Sequence, residues 1–482
     1  MLEIAKGNVL SKGWYRRDRH LLPGLLMVYL LLSCWLPGGN VSKACLLPQA
    51  LLLLTREAAM IRAVTVMLFG CILCALFLGV AQAKTVSAAS CSQSDVQAAI
   101  NATNSGDTVA VPKGTCTWSS TVTISSSHQI TMDGGGSTIT FGSGGSLSIT
   151  TGTASNTRVT NFNFIGSGTN GSDVIEFHTV TSPPSLTFRF DHNSCNCGSP
   201  SAPSTILGIY QNGPGLIDHN SFTCAHGADE LIHVLGLGPS DNSGWWDDVT
   251  PGGPNMIFIE DNTFNDSGGA GASAFQSYYG ARTVARHNTF TNAQIDQHGS
   301  GMIGARWYEF YSNNFTDAAG ICIRAGSGVV FSNTNTGAIR MTQEFGSYPA
   351  EWQVGQGKEV THNTPTNCST GGPPGCAFAY VWSDVTPLLN TTAGCAAGLA
   401  NLIQFQRDVY STGGNGVTTG TLASRPSTCS KYQGYFATDQ NTLYQCTATN
   451  TWTAYYTPYT YPHPLTQGTT VAPPSNLQAT PH

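Results

Sequence analysis

The sequence predicts an all-β solenoid, a stack of short strand-and-turn coils that share one hydrophobic core. Three observations predict this fold class. A short phrase built around Asn and Phe returns along the chain, its spacing is nearly regular, and the repeats contain no helical stripe of useful length. The repeated asparagines are Asn193, Asn220, Asn262, Asn288, Asn313 and Asn333, spaced 27, 42, 26, 25 and 20 residues apart.

Each repeat consists of β-branched or aromatic runs broken by Gly, Asn, Asp and Ser, which is typical of strands joined by turns. An Asn at one fixed point per coil favours a tight bend, because Asn tolerates the left-handed conformation and its amide can bond to the Asn of the next coil. The Phe two residues later should point into the core. The 42-residue interval holds one coil and an inserted surface loop at 236–254.

The phrase, from Asp191-His192-Asn193 to Phe331-Ser332-Asn333, resembles the coils of the pectate-lyase-like superfamily. The resemblance covers roughly residues 91 to 333 and implies a right-handed single-stranded parallel β-helix. Most members of that superfamily act on polysaccharides, so a polysaccharide is the expected partner. The ladder is specific for the fold and not for one activity, because lyases, hydrolases, adhesins and phage spikes share this coil.

Two apolar runs precede the repeats, at 21–36 and 64–80. The second follows Arg62 and ends in Ala81-Gln82-Ala83, the pattern of a signal peptide over 60–83 that is cleaved after Ala83. A membrane anchor is the alternative for this run. Because a signal peptide should begin its protein, 1–59 is a doubtful extension and translation is expected to begin at Met60. The mature chain would then be secreted, periplasmic or held at the cell surface.

Composition narrows the functional class. Only 10% of residues are charged while 54 of 482 are Gly, which suits a β-rich extracellular solenoid. Residues 84–482 keep four Lys and nine Arg against 24 Asp and Glu, a formal charge of −11. Such a chain is not expected to bind nucleic acid. We expect a monomer whose mature chain has no stable membrane span.

Eleven of the fifteen cysteines follow position 83, and export would allow them to form disulfides. An odd count leaves at least one thiol free or paired elsewhere. No spacing indicates a zinc site. The expected local pairs are Cys91 with Cys116, Cys368 with Cys376, and Cys429 with Cys446, while Cys195, Cys197 and Cys224 compete for one bridge.

The mature chain is expected to begin with a cap. Val96, Ala99 and Ile100 share one face of a short helix predicted over 92–102, with Ser92 or Ser94 as N-cap. A solenoid needs such a cap to cover the open end of its core. The β-helix is predicted over 84–340, irregular C-terminal coils or a cap over 341–465, and a linker or disordered tail over 466–482.

Outward residues repeat at the same place in successive coils, so they form columns on the surface. The register at His233 is a choice that the pattern does not fix, and a one-residue slip would bury this side chain. Alignment of the strands before each Asn bend predicts a column of proton carriers and one cation: His178, Tyr210, His233, Tyr278, His298 and Arg324.

Arginine is clustered near this column. On an acidic chain, grouped guanidinium groups suggest a ligand with carboxylates or sulfates, which they bind in bidentate fashion. Salt bridges to Glu260, Asp261 or Glu309 are the structural alternative, and Arg286 fits it best because it adjoins the ladder. Four of the nine arginines after position 83 lie within 43 residues: Arg282, Arg286, Arg306 and Arg324.

The sequence therefore favours a lyase that cleaves an acidic, uronate-containing polysaccharide by β-elimination. This reaction needs a cation that neutralises the sugar carboxylate and a base that removes the neighbouring C5 proton. The candidate base is His298. Arg306 or Arg324 would neutralise the carboxylate, and Tyr278 or His233 would act as the acid.

Substrate-binding residues are expected around this catalytic group. Trp245 and Trp246 in the inserted loop could stack on sugar faces, or could pin the loop by burying their rings. Arg282, His178 and Tyr210 complete the predicted set.

Glycoside hydrolysis is the second expectation, and it needs two carboxylates about 5–10 Å apart. The neighbouring acidic pairs are Asp229-Glu230, Asp247-Asp248 and Glu260-Asp261. Calcium stays open as a cofactor, although the aligned strands offer only Glu176 and Asp296 as ligands. A non-catalytic adhesin or carbohydrate-binding solenoid is the third expectation, and it would scatter the column residues or pair each with a carboxylate.

Overall fold

Strands stacked in register along three faces of each coil make up most of the chain. The computed structural model describes residues 83–152, 156–166, 173–179, 188–198, 205–210, 214–226, 230–236, 249–267, 273–299, 304–316, 320–342, 354, 360–361, 364–365, 378–391 and 403–466. Within them the chain is a parallel β-helix with a short capping helix, which confirms the predicted fold class. Face 1 is a ten-stranded sheet, and faces 2 and 3 are the two halves of an 18-stranded sheet.

Face 1 is parallel throughout and carries the predicted column on its outer surface. With strands numbered in chain order, it consists of β4 (Thr121–Ile124), β6 (Ser146–Thr151), β8 (Ile175–Thr179), β11 (Leu207–Tyr210), β14 (Glu230–Leu235), β17 (Ser273–Tyr278), β20 (Gln294–Gln297), β23 (Ile321–Ile323), β25 (Ile339–Met341) and β29 (Leu388–Leu389).

Face 2 follows face 1 in most coils, and face 3 follows face 2 after a bend. Face 2 consists of β1 (Thr85–Ser87), β2 (Thr108–Ala110), the first halves of β5 (Thr131–Phe141) and β7 (Thr157–Ile165), β9 (Phe188–Asp191), β12 (Gly215–Asp218), β15 (Ile257–Glu260), β18 (Arg282–Arg286), β21 (Trp307–Tyr311), β24 (Ser327–Phe331), β28 (Ala379–Trp382) and β30 (Val409–Ser411). Face 3 consists of β3 (Thr115–Trp118), the second halves of β5 and β7, β10 (Ser194–Asn196), β13 (Ser221–Cys224), β16 (Thr263–Asp266), β19 (Thr289–Thr291) and β22 (Asn314–Thr316).

The repeated asparagines form a buried ladder at the bend between faces 2 and 3. The side-chain oxygen of Asn220 accepts hydrogen bonds from the backbone N and from Nδ2 of Asn193, at 2.9 and 3.2 Å. The same pair of bonds links each later asparagine to the one before it, as the sequence predicts. The carboxylate of Asp384 closes the ladder by accepting from Asn333. These bonds satisfy buried polar groups that would otherwise destabilise the fold.

One detail of the bend differs from the expectation. The left-handed residue is not the asparagine but the residue before it, such as His192, His219 or Asp261, with φ of 54°, 54° and 57°. The asparagine amide has to hold a fixed direction to bond to both neighbouring coils, so the preceding residue takes the unusual φ.

Aromatic rings stack inside the coils beside the ladder, where the sequence places the Phe of each phrase. Phe222, Phe264, Phe290 and Phe315 are fully buried, with successive ring centroids 5.1, 5.0 and 4.8 Å apart. Such offset aromatic contacts add to the free energy of burial.

A short helix covers the N-terminal end of the core, as predicted. Helix α1 (Gln93–Asn101) begins after Ser92, whose side chain accepts a hydrogen bond from Asp95 N. Its buried residues are Val96, Ala99 and Ile100. The cap is tied to the first coil by the predicted disulfide between Cys91 and Cys116.

Coils continue past Arg340, in the segment where the sequence predicts irregular coils or a cap. Strands β28, β29 and β30 add parallel pairs to faces 1 and 2. After them the chain leaves the coil and forms a four-stranded, mostly antiparallel sheet, β31 (Val417–Gly420), β32 (Gly434–Ala437), β33 (Thr442–Ala448) and β34 (Thr451–Tyr456). An antiparallel pair, β26 (Val360–Thr361) and β27 (Thr364–Pro365), and two 3-10 helices, Leu422–Ser424 and Pro464–Thr466, complete the elements.

The C-terminal sheet covers the outer surface of face 2 and buries a second hydrophobic cluster there. Phe258, Trp307 and Phe331 from the coils pack in one cluster with Phe436 and Tyr456 from the C-terminal sheet. The outer surface of face 2 is therefore a protein interior, whereas the outer surface of face 1 has no counterpart of this sheet among the described residues.

The structure also shows the state of five other cysteines that the sequence analysis considered. Cys429 pairs with Cys446 as expected, and Cys197 pairs with Cys224. Among the described residues, Cys195 is a free, buried thiol. The expected pair of Cys368 with Cys376 lies outside the described residues, as do 1–59, the predicted signal peptide up to Gln82 and the predicted tail from 467.

Candidate active site

The outer surface of face 1 carries two neighbouring columns of polar side chains. The strand pairing places His178, Tyr210, Leu235 and Tyr278 side by side in one column. Gln297 pairs with Ser277 and with Ile323, so His298 and Arg324 continue that column beyond the strand ends. Five of the six predicted positions therefore share one column.

His233 is the exception, and its predicted register is wrong. It pairs with Gly208 and Gln276 in the adjacent column, and the expected position is taken by Leu235, which is 6% exposed. The slip is two residues, which preserves the alternation of inner and outer side chains. His233 therefore stays on the outer surface, half-buried between the two columns.

Aromatic and imidazole rings form a continuous row along this surface. The row runs from His178 through Tyr210, His233 and Tyr278 to His298, with successive centroids 4.7, 6.2, 4.9 and 4.3 Å apart. His178 is also paired with Glu176 at 3.0 Å. The rings thus lie across five consecutive coils, and their polar atoms face the same surface.

Two carboxylates converge on His233 from coils on either side of Gly208. Asp173 Oδ2 and Glu230 Oε1 each lie 3.7 Å from His233 Nδ1. Asp173 also accepts a hydrogen bond of 2.6 Å from the Tyr210 hydroxyl. The Tyr278 hydroxyl lies between Glu230 and the side-chain oxygen of Gln276 and can donate to either.

Burial and neighbouring charges shift the pKa values of Glu230 and His233. It raises the pKa of Glu230 to about 7, and the charges of Asp173 and Asp296 add to the rise while His233 opposes it. For His233, burial lowers the pKa, but the hydrogen bond to Asp173 and the charges of Asp173 and Glu230 outweigh it, so the pKa is raised. Glu230 is thus a carboxylic acid for a large part of the time near neutral pH.

His298 has the opposite tendency. Burial, together with the nearby charges of Arg324 and His233, lowers the pKa of His298 to about 3, so the imidazole is neutral at physiological pH. Arg324 itself holds Asp296 in a bidentate ion pair, with Nε to Oδ1 at 3.0 Å and NH2 to Oδ2 at 2.5 Å. Asp296 therefore neutralises most of the charge of that guanidinium.

Two of the predicted arginines do not lie with this group. Arg282 alternates with Val284 and Arg286 on the outer side of face 2, where it is 8% exposed, so a polymer on face 1 cannot reach it. Arg306 is half-buried and its charge acts on Tyr455, next to Tyr456 in the C-terminal sheet. Both arginines differ from the prediction for the same reason. The chain passes from one face to the next between neighbouring strands, so residues that are close in sequence lie on different faces.

Arg286 has the structural role that the sequence favoured for it. Its Nε donates to Glu260 Oε2 at 2.6 Å, and the pair is fully buried. Trp245 and Trp246 lie outside the described residues, as does Asp229, the neighbour of Glu230.

The carboxylate that sequence reasoning missed is Asp173. It precedes β8 in a stretch without alternation, and its partner Glu230 lies two coils later. The sequence did contain one signal for Asp173, which is its position within the coil. Glu230 pairs with Ser273 just before the apolar part of each strand, and Asp173 and Thr205 occupy the same place in their coils.

One group with metal-ligand spacing occurs among the described residues. The sulfurs of Cys197 and Cys224 and the imidazole of His226 lie within 4.8 Å of one another. Because the two sulfurs form a disulfide, they cannot act as thiolate ligands. The group therefore does not form a metal centre in this oxidation state.

Comparison with known proteins adds no assignment. No protein-family model matches this chain, and no curated protein matches its sequence. Within the described part of the chain, no helix is both long and apolar enough to cross a bilayer.

Proposed function

We propose that the protein is an exported polysaccharide-cleaving enzyme, and that the reaction is glycoside hydrolysis on the outer surface of face 1. Glu230 is the general acid and Asp173 is the second carboxylate. The observation that carries the proposal is the convergence of these two carboxylates on His233 Nδ1, each at 3.7 Å. Because both oxygens lie 3.7 Å from one atom, they are no further apart than twice that distance, which is below the upper limit of the roughly 5–10 Å range that glycosidases use.

Glu230 has the property that the reaction requires of one carboxyl group. Glycosidic cleavage needs one protonated carboxyl group to donate to the leaving oxygen, and one carboxylate to act as nucleophile or to activate water. Burial keeps the proton on Glu230 up to about pH 7. The Tyr210 hydroxyl donates a hydrogen bond of 2.6 Å to Asp173 Oδ2 and so holds the second carboxyl group in a fixed direction.

His233 supports the charge that develops during the step. When Glu230 gives its proton to the leaving oxygen, a new negative charge forms beside the His233 imidazole. The raised pKa of His233 favours the imidazolium, which stabilises that charge.

The charges of the site favour a polysaccharide without many anionic groups. Among the described residues, Asp173, Glu176, Glu230 and Asp296 bring four carboxylates to this surface. Two guanidinium groups oppose them: Arg324, which pairs with Asp296, and Arg340, which follows Asp296 and Cys322 in the same column. A uronate chain would be repelled unless a cation bridged the two. Neutral sugars do not meet this repulsion.

An activity panel tests the proposal. The full-length chain would be expressed with export into an oxidising compartment and incubated with neutral and acidic polysaccharides. We expect new reducing ends without ultraviolet absorbance, and their loss in Glu230→Gln and Asp173→Asn. Asp439→Asn, an exposed carboxylate of the C-terminal sheet, is the matched control. Full activity in both site variants would refute the assignment.

A lyase acting on an acidic polysaccharide is the second candidate, and one observation favours it. His298 is neutral, stacks on Tyr278 at 4.3 Å and lies near Arg324, which is the base, acid and cation set that β-elimination needs. In the same assay this reaction would produce ultraviolet absorbance that His298→Ala removes. Binding without either product would favour a carbohydrate-binding solenoid.

Export and oligomeric state belong to the same proposal. The disulfides Cys91–Cys116, Cys197–Cys224 and Cys429–Cys446 fit an oxidising compartment. We expect the exported chain to begin at Lys84 and to behave as a monomer. Mass spectrometry of its N-terminus and light scattering measure both; an N-terminus before residue 60 would contradict the start at Met60.

A further inference from the structure

The outer column that contains His233 has one gap. Glu176, Gly208, His233, Gln276 and Asp296 follow one another in it through strand pairing, and Gly208 alone has no side chain. Glycine in the middle of a strand weakens it and often marks a place where another group approaches closely. The backbone does not explain this glycine, because Gly208 has no left-handed φ and pairs in register on both sides.

The group that fills the gap is the carboxylate of Asp173. A Cβ atom at position 208 would lie 1.9 Å from Asp173 Oδ2 and 2.6 Å from its Cγ, and 2.8 Å from Cε2 of the Tyr210 ring. Asp173 is 5% exposed, so its short side chain has little room for another position. Any side chain at 208 would therefore displace the carboxylate.

Tyr210 holds the same carboxylate from the other side. Its hydroxyl donates to Asp173 Oδ2 at 2.6 Å, the same oxygen that lies 3.7 Å from His233 Nδ1. The Tyr210 ring is itself fixed by stacking on His178, with an interplanar angle of 10°. The position of Asp173 Oδ2 is thus determined by the gap at Gly208, the Tyr210 hydroxyl and the His233 imidazole.

We propose that Gly208 and Tyr210 are positioning residues for Asp173: the gap at Gly208 admits the carboxylate, and the Tyr210 hydroxyl aims its oxygen at His233. The inference rests on the proposed function for its effect on the reaction. The geometry itself can be tested without any substrate, so failure of the two is distinguishable.

The substrate-free test is the titration of His233, followed by NMR of the imidazole carbon signals and assigned with His233→Gln. The groups that face His233 are Asp173, Glu230 and the rings of Tyr210 and Tyr278, with His298 nearby. In Gly208→Ala the displaced carboxylate should leave His233, so the imidazole should titrate at lower pH than in the wild type. Gly414→Ala is the control, because a Cβ there meets nothing within 4 Å. An unchanged titration in folded Gly208→Ala overturns the proposal.

The kinetic test uses both positioning residues. Gly208→Ala should lower kcat by about 100-fold with KM little changed, which is the typical cost of a misplaced catalytic group. Tyr210→Phe keeps the ring and removes the hydroxyl that aims the Asp173 oxygen, so kcat should fall with KM little changed and the His233 imidazole should titrate at lower pH. Tyr444→Phe, which loses an exposed hydroxyl in the C-terminal sheet, should keep the wild-type kcat and His233 titration.

Each outcome bears on one claim. If Gly208→Ala fails to fold, an unchanged His233 titration in Tyr210→Phe still overturns the positioning of Asp173. If the wild type shows no hydrolysis, the proposed function fails while the His233 titration still decides the geometry. A purely structural role for Gly208 would lower the melting temperature without moving the His233 titration.

Discussion

The outer surfaces of faces 1 and 2 carry the same kinds of charged groups, but the partners of these groups differ. On face 2, Arg189 binds Asp218 and Arg286 binds Glu260 through short ion pairs, and the C-terminal chain lies over them. Arg286 also donates to the carbonyl oxygens of Tyr459 and Thr460 at 2.6 and 2.9 Å. On face 1, Arg324 and Asp296 form a pair of the same kind, but Glu230 has an imidazole at 3.7 Å in place of a guanidinium, and burial raises its pKa to about 7.

The difference teaches how one scaffold separates stability from chemistry. A buried charge with a full set of partners is costly to disturb, and it has no proton to exchange near neutral pH. A buried carboxyl group without such a partner costs stability when it ionises, and it can exchange a proton with a ligand. The following predictions, from the largest effect to the smallest, test whether the two faces differ in this way.

Removing the cation on face 2 should have the largest effect. Arg286→Met keeps the length of the side chain but leaves Glu260 as an uncompensated buried charge. We expect the free energy of unfolding to fall by about 3–5 kcal/mol, measured by denaturant unfolding. The double variant with Glu260→Gln should recover part of the loss. A loss below about 1 kcal/mol, the range of exposed pairs, would mean that face 2 is no different from an ordinary surface.

Acid should destabilise the protein through a histidine on each face. Burial lowers the pKa of His463, on the segment over face 2, to about 4, and that of His298 on face 1 to about 3. Below pH 6.5 the unfolded chain takes up protons that the folded chain refuses, so stability falls as pH drops from about 6.5 towards these values. The loss is on the order of 3 kcal/mol for His463.

Unfolding curves between pH 8 and pH 4 measure this loss. His463→Gln and His298→Gln should each flatten the dependence, and their separate contributions show which face controls acid stability. A wild-type stability that stays constant over this range would contradict the burial of both imidazoles.

Replacing the acid on face 1 should have an effect of similar size and opposite sign. The pKa of Glu230 is raised from 4.5 to about 7, so the folded state is weakened as pH rises through this window. Glu230→Gln should therefore be more stable than the wild type at pH 8, by on the order of 3 kcal/mol, and no more stable at pH 4. A destabilised variant at pH 8 would place Glu230 with the structural charges of face 2.

The smallest effect is expected at the exposed end of the ring row. His178 and Glu176 form a pair whose side chains are 38% and 26% exposed. His178→Ala should change the free energy of unfolding by less than about 0.5 kcal/mol. A larger loss would mean that the row on face 1 is a structural element and not an open surface.

The sequence predicts the coil well because the coil repeats. The Asn ladder, the Phe stack and the helix that begins after Ser92 all follow from local patterns, and the ring column follows from alternation. The same alternation explains the error at His233. A pattern with a period of two residues is unchanged by a shift of two, so it could not distinguish His233 from Leu235.

The arginines and Asp173 were beyond the reach of such patterns for another reason. Proximity in sequence does not mean proximity on a face, since Arg282 follows Tyr278 after three residues and already belongs to face 2. Asp173 belongs to the turn before a strand, and its meeting with Glu230 depends on the gap at Gly208. Contacts between turns of different coils leave no period in the sequence.

The Asn ladder also determines where coils can differ in length. At its bend two residues separate the strands every time, as His192 and Asn193 do between Asp191 and Ser194. At the two edges of face 1 the connections vary widely: two residues lead from Thr291 to Gln294, but 21 lie between Leu235 and Ile257. Differences in coil length are therefore confined to the edges of face 1, while the bend held by the Asn ladder keeps one length.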